Sequence, residues 1–368
     1  MQENQLMVIY GDDPRTMVET LLQKIKPEEG LPRTAKIGLK PNLVLDKPAA
    51  SGATTHPELV EGIIKYFQAR GYHDLRIMEG SWVGAQTERA FQICGYQELA
   101  AQYQVPLINL KRDRTITRQV GALTLEVCAS VLEVDYLINL PVLKAHCQTA
   151  LTCALKNLKG CVPDAEKRRF HRMGLHQPIA HLAAALPTQL TIVDGICGDL
   201  TFEEGGNPVP MGRVFAGRDP VLIDAYAASL LGLAAEDVPY IAIAAGLGVG
   251  EDNLDKAEII EFNPEAKSAQ PFRLSRRVQS LARYIEECEA CSACYGSLIH
   301  ALHRLEEEGE LSRLGLGPKA VKIGQGFRGV NGEGLGVGVC TRGLQSSIPG
   351  CPPTARAIKD FLGKLNLD

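Results

Sequence analysis

Apolar residues along the chain fall into two alternating rhythms. Short runs rich in Val, Ile and Leu, "KIGLKPNLV", "DLRIMEGS", "VPLINL", "DYLINLPVLK" and "LTIVDGI", each end in Gly, Pro, Asn or Asp. Such runs predict buried strands. Between them the period lengthens. "HPELVEGIIKYFQARGY" places Leu59, Ile63 and Phe67 four residues apart, with Gly71 where a helix would end. "TERAFQICGYQELAAQY" and "DPVLIDAYAASLLGL" share that character. Strand and helix in alternation predict an α/β fold with a mixed or mostly parallel sheet flanked by helices.

In such sheets ligands gather at the C-terminal strand ends. Here those ends carry Lys40-Pro41-Asn42, Glu79-Gly80-Ser81, Lys144-Ala145-His146 and Asp194-Gly195. One such triplet reads as a turn. Four in one topological position predict a shared cleft, with Lys40, Asn42, Ser81 and Asp194 among its binding residues.

The texture changes in "EFNPEAKSAQPFRLSRRVQ", residues 261–279, which is polar and ends in a basic run. A boundary there divides the chain into an α/β domain over 1–265 and a smaller α/β domain over 275–368. The second is expected to hold a cysteine-bearing helix, two glycine-rich strands in "AVKIGQGF" and "GLGVGVC", and a last helix in "TARAIKDFLGKL".

The chain has eleven cysteines, an odd number that cannot pair completely. Six are scattered before residue 200. The other five are Cys288, Cys291, Cys294, Cys340 and Cys351. Three thiols at C-x2-C-x2-C can wrap a compact iron–sulfur body, with a fourth ligand from elsewhere, often beside proline. Cys288, Cys291 and Cys294 with Cys351, which precedes Pro352 and Pro353, form the expected set; Cys340 is a fifth thiol or alternative ligand. Buried cysteine as core filler is the plainer reading, and three at this spacing outweigh it. Zinc is the rival, although its usual pattern is two separated C-x2-C pairs. A single [4Fe-4S] cluster is therefore the expected cofactor.

Charge adds a local contrast. The chain carries a formal net charge of −4, which argues against a dedicated nucleic-acid binder. Within residues 143–176, seven Lys and Arg side chains face only two carboxylates. The reversal suggests a small anionic ligand or a redox partner protein. Lys144, His146, Lys156, Asn157 and Lys159 interrupt otherwise apolar sequence, where an unpaired charge is costly. Lys144, His146 and Lys156 are the candidate catalytic groups, and Asn157 and Lys159 candidate ligand contacts. On one helix, Thr152, Lys156 and Lys159 would share a face. "EKRRFHR" alone suits a solvated surface. "GLGVGED" lacks the strand-turn-helix context of a nucleotide loop. Asp199, Glu203 and Glu204 read as decorating a glycine-rich loop, with a hard cation as the alternative. The N-terminus shows no basic region before a long apolar run, and no stretch is long enough for a bilayer, so the expected location is cytoplasmic, with no membrane. Oligomeric state is not legible.

These residues carry a resemblance. "KPNLV", "THPELV", "EGS", "LPVLKAH", "ALKNLKGCVPDAEKRRFH", "VDGI" and "GRDPVLIDAYA" resemble the motif series of the prokaryotic domain of unknown function 362 family, over residues 36–250. Members are often joined to iron–sulfur modules, which implies a cytoplasmic redox context without naming a reaction. "IPGCPPTARAIKDFL" is similar to the proximal-cluster loop of respiratory complex I and hydrogenase small subunits. A fainter likeness, in Lys-Pro-Asn and the Lys/His features, is to the nickel-dependent lactate racemase superfamily and concerns fold. The leading expectation is a redox-active iron–sulfur protein, in one version an oxidoreductase, whose N-terminal cleft binds a small anion. The alternatives are an electron-transfer binding partner and a non-redox, racemase- or transferase-like enzyme with structural zinc.

Overall fold

The computed structural model describes residues 1–200, 208–267 and 277–365. Glu203 and Glu204 lie outside the described residues, as does most of the basic end of the 261–279 segment. The chain divides into two compact units, Met1–Lys167 with His176–Leu274 and Arg168–Leu175 with Ser275–Asp368.

The first unit opens with β1 (Gln5–Tyr10), β2 (Ile37–Pro41), β3 (Leu75–Glu79) and β4 (Leu107–Asn109). β5 (Thr115–Val120) and β6 (Leu123–Cys128) form a separate antiparallel hairpin. β7 (Tyr136–Leu140) is followed by β8 (Lys144–His146) and β9 (Ala150–Thr152), which pair with each other. β10 (Leu190–Asp199), β11 (Pro208–Gly217) and β12 (Glu258–Phe262) complete the unit. Eight of these strands make one sheet in the order β12-β1-β11-β10-β7-β2-β3-β4. Every neighbouring pair is parallel except the two made by β11, which runs antiparallel to both β1 and β10. The fold is thus mixed α/β with a parallel-dominated sheet.

The five apolar runs form β2, β3, β4, β7 and β10. β2 and β7 are buried at every position, as expected of strands covered on both faces. The helix Pro57–Gln68 buries Leu59, Ile63 and Phe67. These pack with Leu39, Ile77 and Ile138 in the main core. The helix stops at Gln68, and Gly71 follows with a φ of +80°.

β10, β7, β2 and β3 are consecutive in the sheet. That order sets the polar ends of β2 and β3 beside one another. Two of the expected strand ends are not ends: Asp194 lies within β10, which continues to Asp199, and Lys144–His146 form β8 outside this sheet.

In the second unit, β13 (Ile285–Glu287), β14 (Val321–Ile323), β15 (Gly332–Val337) and β16 (Leu344–Ile348) form an all-parallel sheet in sequential order. The loops leaving all four strands therefore open on the same edge. The helix Ser292–Glu307 lies between β13 and β14, and Ala355–Leu362 closes the unit, capped by Thr354, whose hydroxyl accepts the Ala357 N–H.

Candidate functional site

At the strand ends of the first unit the polar residues form one buried network. Lys40 ends β2 with its side chain fully buried, and its Nζ donates to Glu79 Oε2 at 2.8 Å and to the Pro41 carbonyl at 2.7 Å. The carboxylate of Glu79 also accepts the backbone N–H groups of Leu43 and Gly80. Gly160 closes over this ion pair: a Cβ there would stand 2.2 Å from Glu79 Oε1 and 2.6 Å from Lys40 Nζ. Only glycine allows so close an approach.

An amide relay crosses the same region. Lys144 Nζ donates to Asn42 Oδ1 at 3.0 Å and to the Ala53 carbonyl at 2.8 Å. Asn42 Nδ2 donates to Asn157 Oδ1, and Asn157 Nδ2 to Asn139 Oδ1 and the Lys40 carbonyl. Asn139 ends the relay on the Ala154 carbonyl. The Thr55 hydroxyl accepts the Asn42 N–H and donates to the Leu140 carbonyl. Buried charges and amides need such partners.

Other expected site residues lie around this network. Ser81 is buried and donates to the Leu43 carbonyl. Lys156 is buried, with Nζ 3.1 Å from Thr152 Oγ1. Lys159 is half-buried. The single helical face expected for Thr152, Lys156 and Lys159 does not form. Thr152 ends β9, Lys156 lies in the short helix Ala154–Asn157, and Lys159 lies in the 3-10 turn Leu158–Cys161. The chain breaks step because Asp224, from the helix Pro220–Leu230, accepts the N–H groups of Ala154 and Leu155 and starts the helix there. Burial raises the Asp224 carboxyl to about 7.

His146 Nδ1 accepts the backbone N–H groups of Gln148 and Thr149 at 3.1 and 3.0 Å. A lone pair on Nδ1 puts the ring proton on Nε2, so His146 is a neutral donor there. Asp194 is fully buried, and its Oδ2 accepts both the N–H and ring Nδ1 of His56 at 2.7 Å. The His56 pKa is raised: burial, the largest influence, works downward, and the charge and hydrogen bond of Asp194 outweigh it. Among these partners Glu79 belongs to a recognised strand end. Asn139, Asp224 and His56 carried no isolated signal. Lys167, within the apparent surface run "EKRRFHR", is buried and donates to the Gly80 and Ser81 carbonyls. Burial lowers its pKa.

In the second unit, one small pocket is lined by Cys291, Cys294, Cys340 and Cys351 together with Arg168, Gln325 and Arg328. The cysteine trio does not ride one helix as expected. Cys288 follows β13, Cys291 is the N-cap of Ser292–Glu307, and Cys294 lies in its first turn. Glu289, with a φ of 55°, turns the chain between the first two. Cys340 follows β15 and Cys351 follows β16. The pocket is built from separate loops at the C-terminal strand edge.

Two N–H groups point at its sulfurs. Arg328 Nε lies 3.3 Å from Cys340 Sγ, and Gln325 Nε2 lies 3.6 Å from Cys291 Sγ while donating to the Arg168 carbonyl. The pKa of Arg328 is raised by that hydrogen bond to Cys340, by the Cys340 charge, and more weakly by Cys291 and Cys351. Cys288 is exposed and packs onto Gly326, where a Cβ would meet its Sγ at 2.1 Å. Among the described residues, no three His, Cys, Asp or Glu side chains gather closely enough to hold a single ion. None of the described helices is long and apolar enough to cross a membrane.

The chain is 27% identical over 251 residues to a thylakoid-associated protein of Synechocystis sp., covering 64% of this chain and 76% of that one. Two solved structures are similar at 14% identity. Lactate racemase apoprotein from Thermoanaerobacterium thermosaccharolyticum has a TM-score of 0.39 over 57% of this chain, and a Thermotoga maritima protein 0.40 over 64%. This chain spans 53% and 60% of their lengths. A family profile described as domain of unknown function matches residues 37–229, which hold the strand-end network. The chain belongs to the domain of unknown function 362 family.

Proposed function

We propose that the protein is an iron–sulfur redox protein whose second unit binds one [4Fe-4S] cluster through Cys291, Cys294, Cys340 and Cys351. The observation that carries this reading is the convergence of those four thiols on one pocket. Zinc would need its donors within about 2.3 Å of one point. A cluster spreads its thiolates around a larger body, each on its own iron. Bound there, it would accept and release single electrons.

The chain's own groups suit that role. Arg328 and Gln325 bring N–H donors to the sulfurs, which favours the more reduced state. In the first unit, His146 offers a proton on Nε2, and Lys144 and Lys156 hold the strand-end loops around it. A small anionic substrate would be bound there.

The test is anaerobic purification with iron, sulfide and zinc analysis, and visible spectra before and after dithionite. The expected result is about four irons and four sulfides per chain, with bleaching on reduction. Zinc without sulfide would overturn the proposal.

A further inference from the structure

The inverted strand β11 has an effect on the opposite edge of the large sheet. β11 runs against β1 and β10, so its last residue, Gly217, pairs with Leu6 and Thr191 near the starts of those strands. The next residue, Arg218, is therefore delivered to the edge away from the strand-end network. There it lines a cavity of about 290 Å³ within the first unit. That volume is near the lower end for small-molecule sites.

The loop opposite is held open by specific contacts. Asp219 Oδ1 accepts the Val221 and Leu222 N–H groups, while Oδ2 accepts the Glu251 N–H at 2.7 Å. A Cβ on Gly250 would stand 1.9 Å from Asp219 Oδ1, so glycine is required for the loop to reach it. The clamp sets Leu247, Gly248 and Val249 against the cavity, and Leu158, Ala184 and Leu186 line it too. This is the glycine-rich "GLGVGED" segment, whose sequence lacks a nucleotide-binding context.

Charge narrows the ligand. Arg218 is partly exposed where it lines the cavity. The nearby Tyr136 phenol is raised by burial, with the charge of Arg218 and a hydrogen bond with it opposing. A guanidinium at a cavity wall suits a carboxylate, which can take two parallel N–H bonds. Glu3 also lines the cavity and would repel a second negative group. The side chains of Leu158, Leu186, Leu247 and Val249 suit a short aliphatic body.

We infer that this cavity, bounded by Arg218 and the Gly246–Gly250 loop, is a binding site for a small aliphatic monocarboxylate, separate from the strand-end network and the thiol pocket. The test is calorimetric titration of the full chain with sodium 4-methylpentanoate, succinate and inorganic phosphate. Saturable millimolar or tighter binding of 4-methylpentanoate alone is expected. Arg218→Gln should weaken it at least about tenfold, the loss of a charge-assisted hydrogen bond. Ala184→Phe, which fills the cavity and leaves the charge, should abolish it, with circular dichroism showing that each variant is folded. If Arg218→Gln does not fold, Ala184→Phe decides alone. No saturable binding of 4-methylpentanoate, equal binding of succinate or phosphate, or binding unchanged by Ala184→Phe would overturn the inference.

Discussion

The strand-end network and the thiol pocket are both built at the C-terminal edges of parallel strands, yet they treat their polar groups in opposite ways. In the first, Lys40, Glu79, Asn42, Asn139 and Asn157 are buried and bonded to one another. In the second, Cys291, Cys294 and Cys340 are half-buried and Cys351 is exposed, with their sulfurs around a pocket. The same contrast holds among the cysteines. Burial pushes Cys94 up to about 11 and Cys128 and Cys161 to about 12, which keeps them as inert thiols in the first unit. Residue type alone does not make a site; a reactive group also needs access and unfinished coordination.

The sharpest test of that contrast is in the pocket. Cys291→Ala or Cys340→Ala should remove essentially all bound iron and sulfide, while Cys288→Ala should keep them. Retention in Cys340→Ala, measured by metal analysis, would erase the proposed ligand set. The network should respond in stability instead. Glu79→Ala leaves Lys40 buried without its counter-charge, and should cost about 3–5 kcal/mol in denaturant unfolding, with iron content unchanged in the folded fraction. A smaller loss, about 1–3 kcal/mol, is expected for Asn157→Ala, which strands the amides of Asn42 and Asn139.

Two further measurements probe access and protonation. In the metal-free protein, iodoacetamide should label the five C-terminal thiols well before Cys94, Cys128, Cys153 and Cys161, as read by peptide mass spectrometry. Asp224 gives the mildest effect. Its folded pKa of about 7 lies above the ordinary carboxylate value. The folded state therefore holds the proton that the unfolded chain releases first. The stability it contributes is full below the unfolded pKa and is lost as pH rises through about 7. Asp224→Asn should flatten that slope in unfolding midpoints measured from pH 4.5 to 7.5.

Much of the fold was legible because periodicity is local. The five apolar runs became strands, and the polar ends of β2 and β3 met because those strands are neighbours, whereas Asp194 fell inside β10 and Lys144 and His146 in β8 outside the sheet. The partners were less legible. Lys144 stood out as a charge in apolar sequence, but nothing local linked it to the Ala53 carbonyl. The cysteine spacing grouped Cys288 with Cys291 and Cys294, whereas the pocket takes Cys340, which arrives from a different crossover. Arg218 sat inside a recognised motif, and its position depends on the direction of β11, which periodicity does not encode.

The sequential parallel order of β13 to β16 has a thermodynamic consequence. Cys291 emerges after β13 and Cys340 and Cys351 after β15 and β16, so the first stands 49 positions before the second along the unfolded chain. Anything binding all of them ties long loops shut, much as a cross-link does. Closing the loop from Cys294 to Cys340 alone corresponds to about 4 kcal/mol of chain entropy removed from the unfolded state. A group held in this pocket would therefore act as a fastener for the second unit, making occupancy and folding one equilibrium.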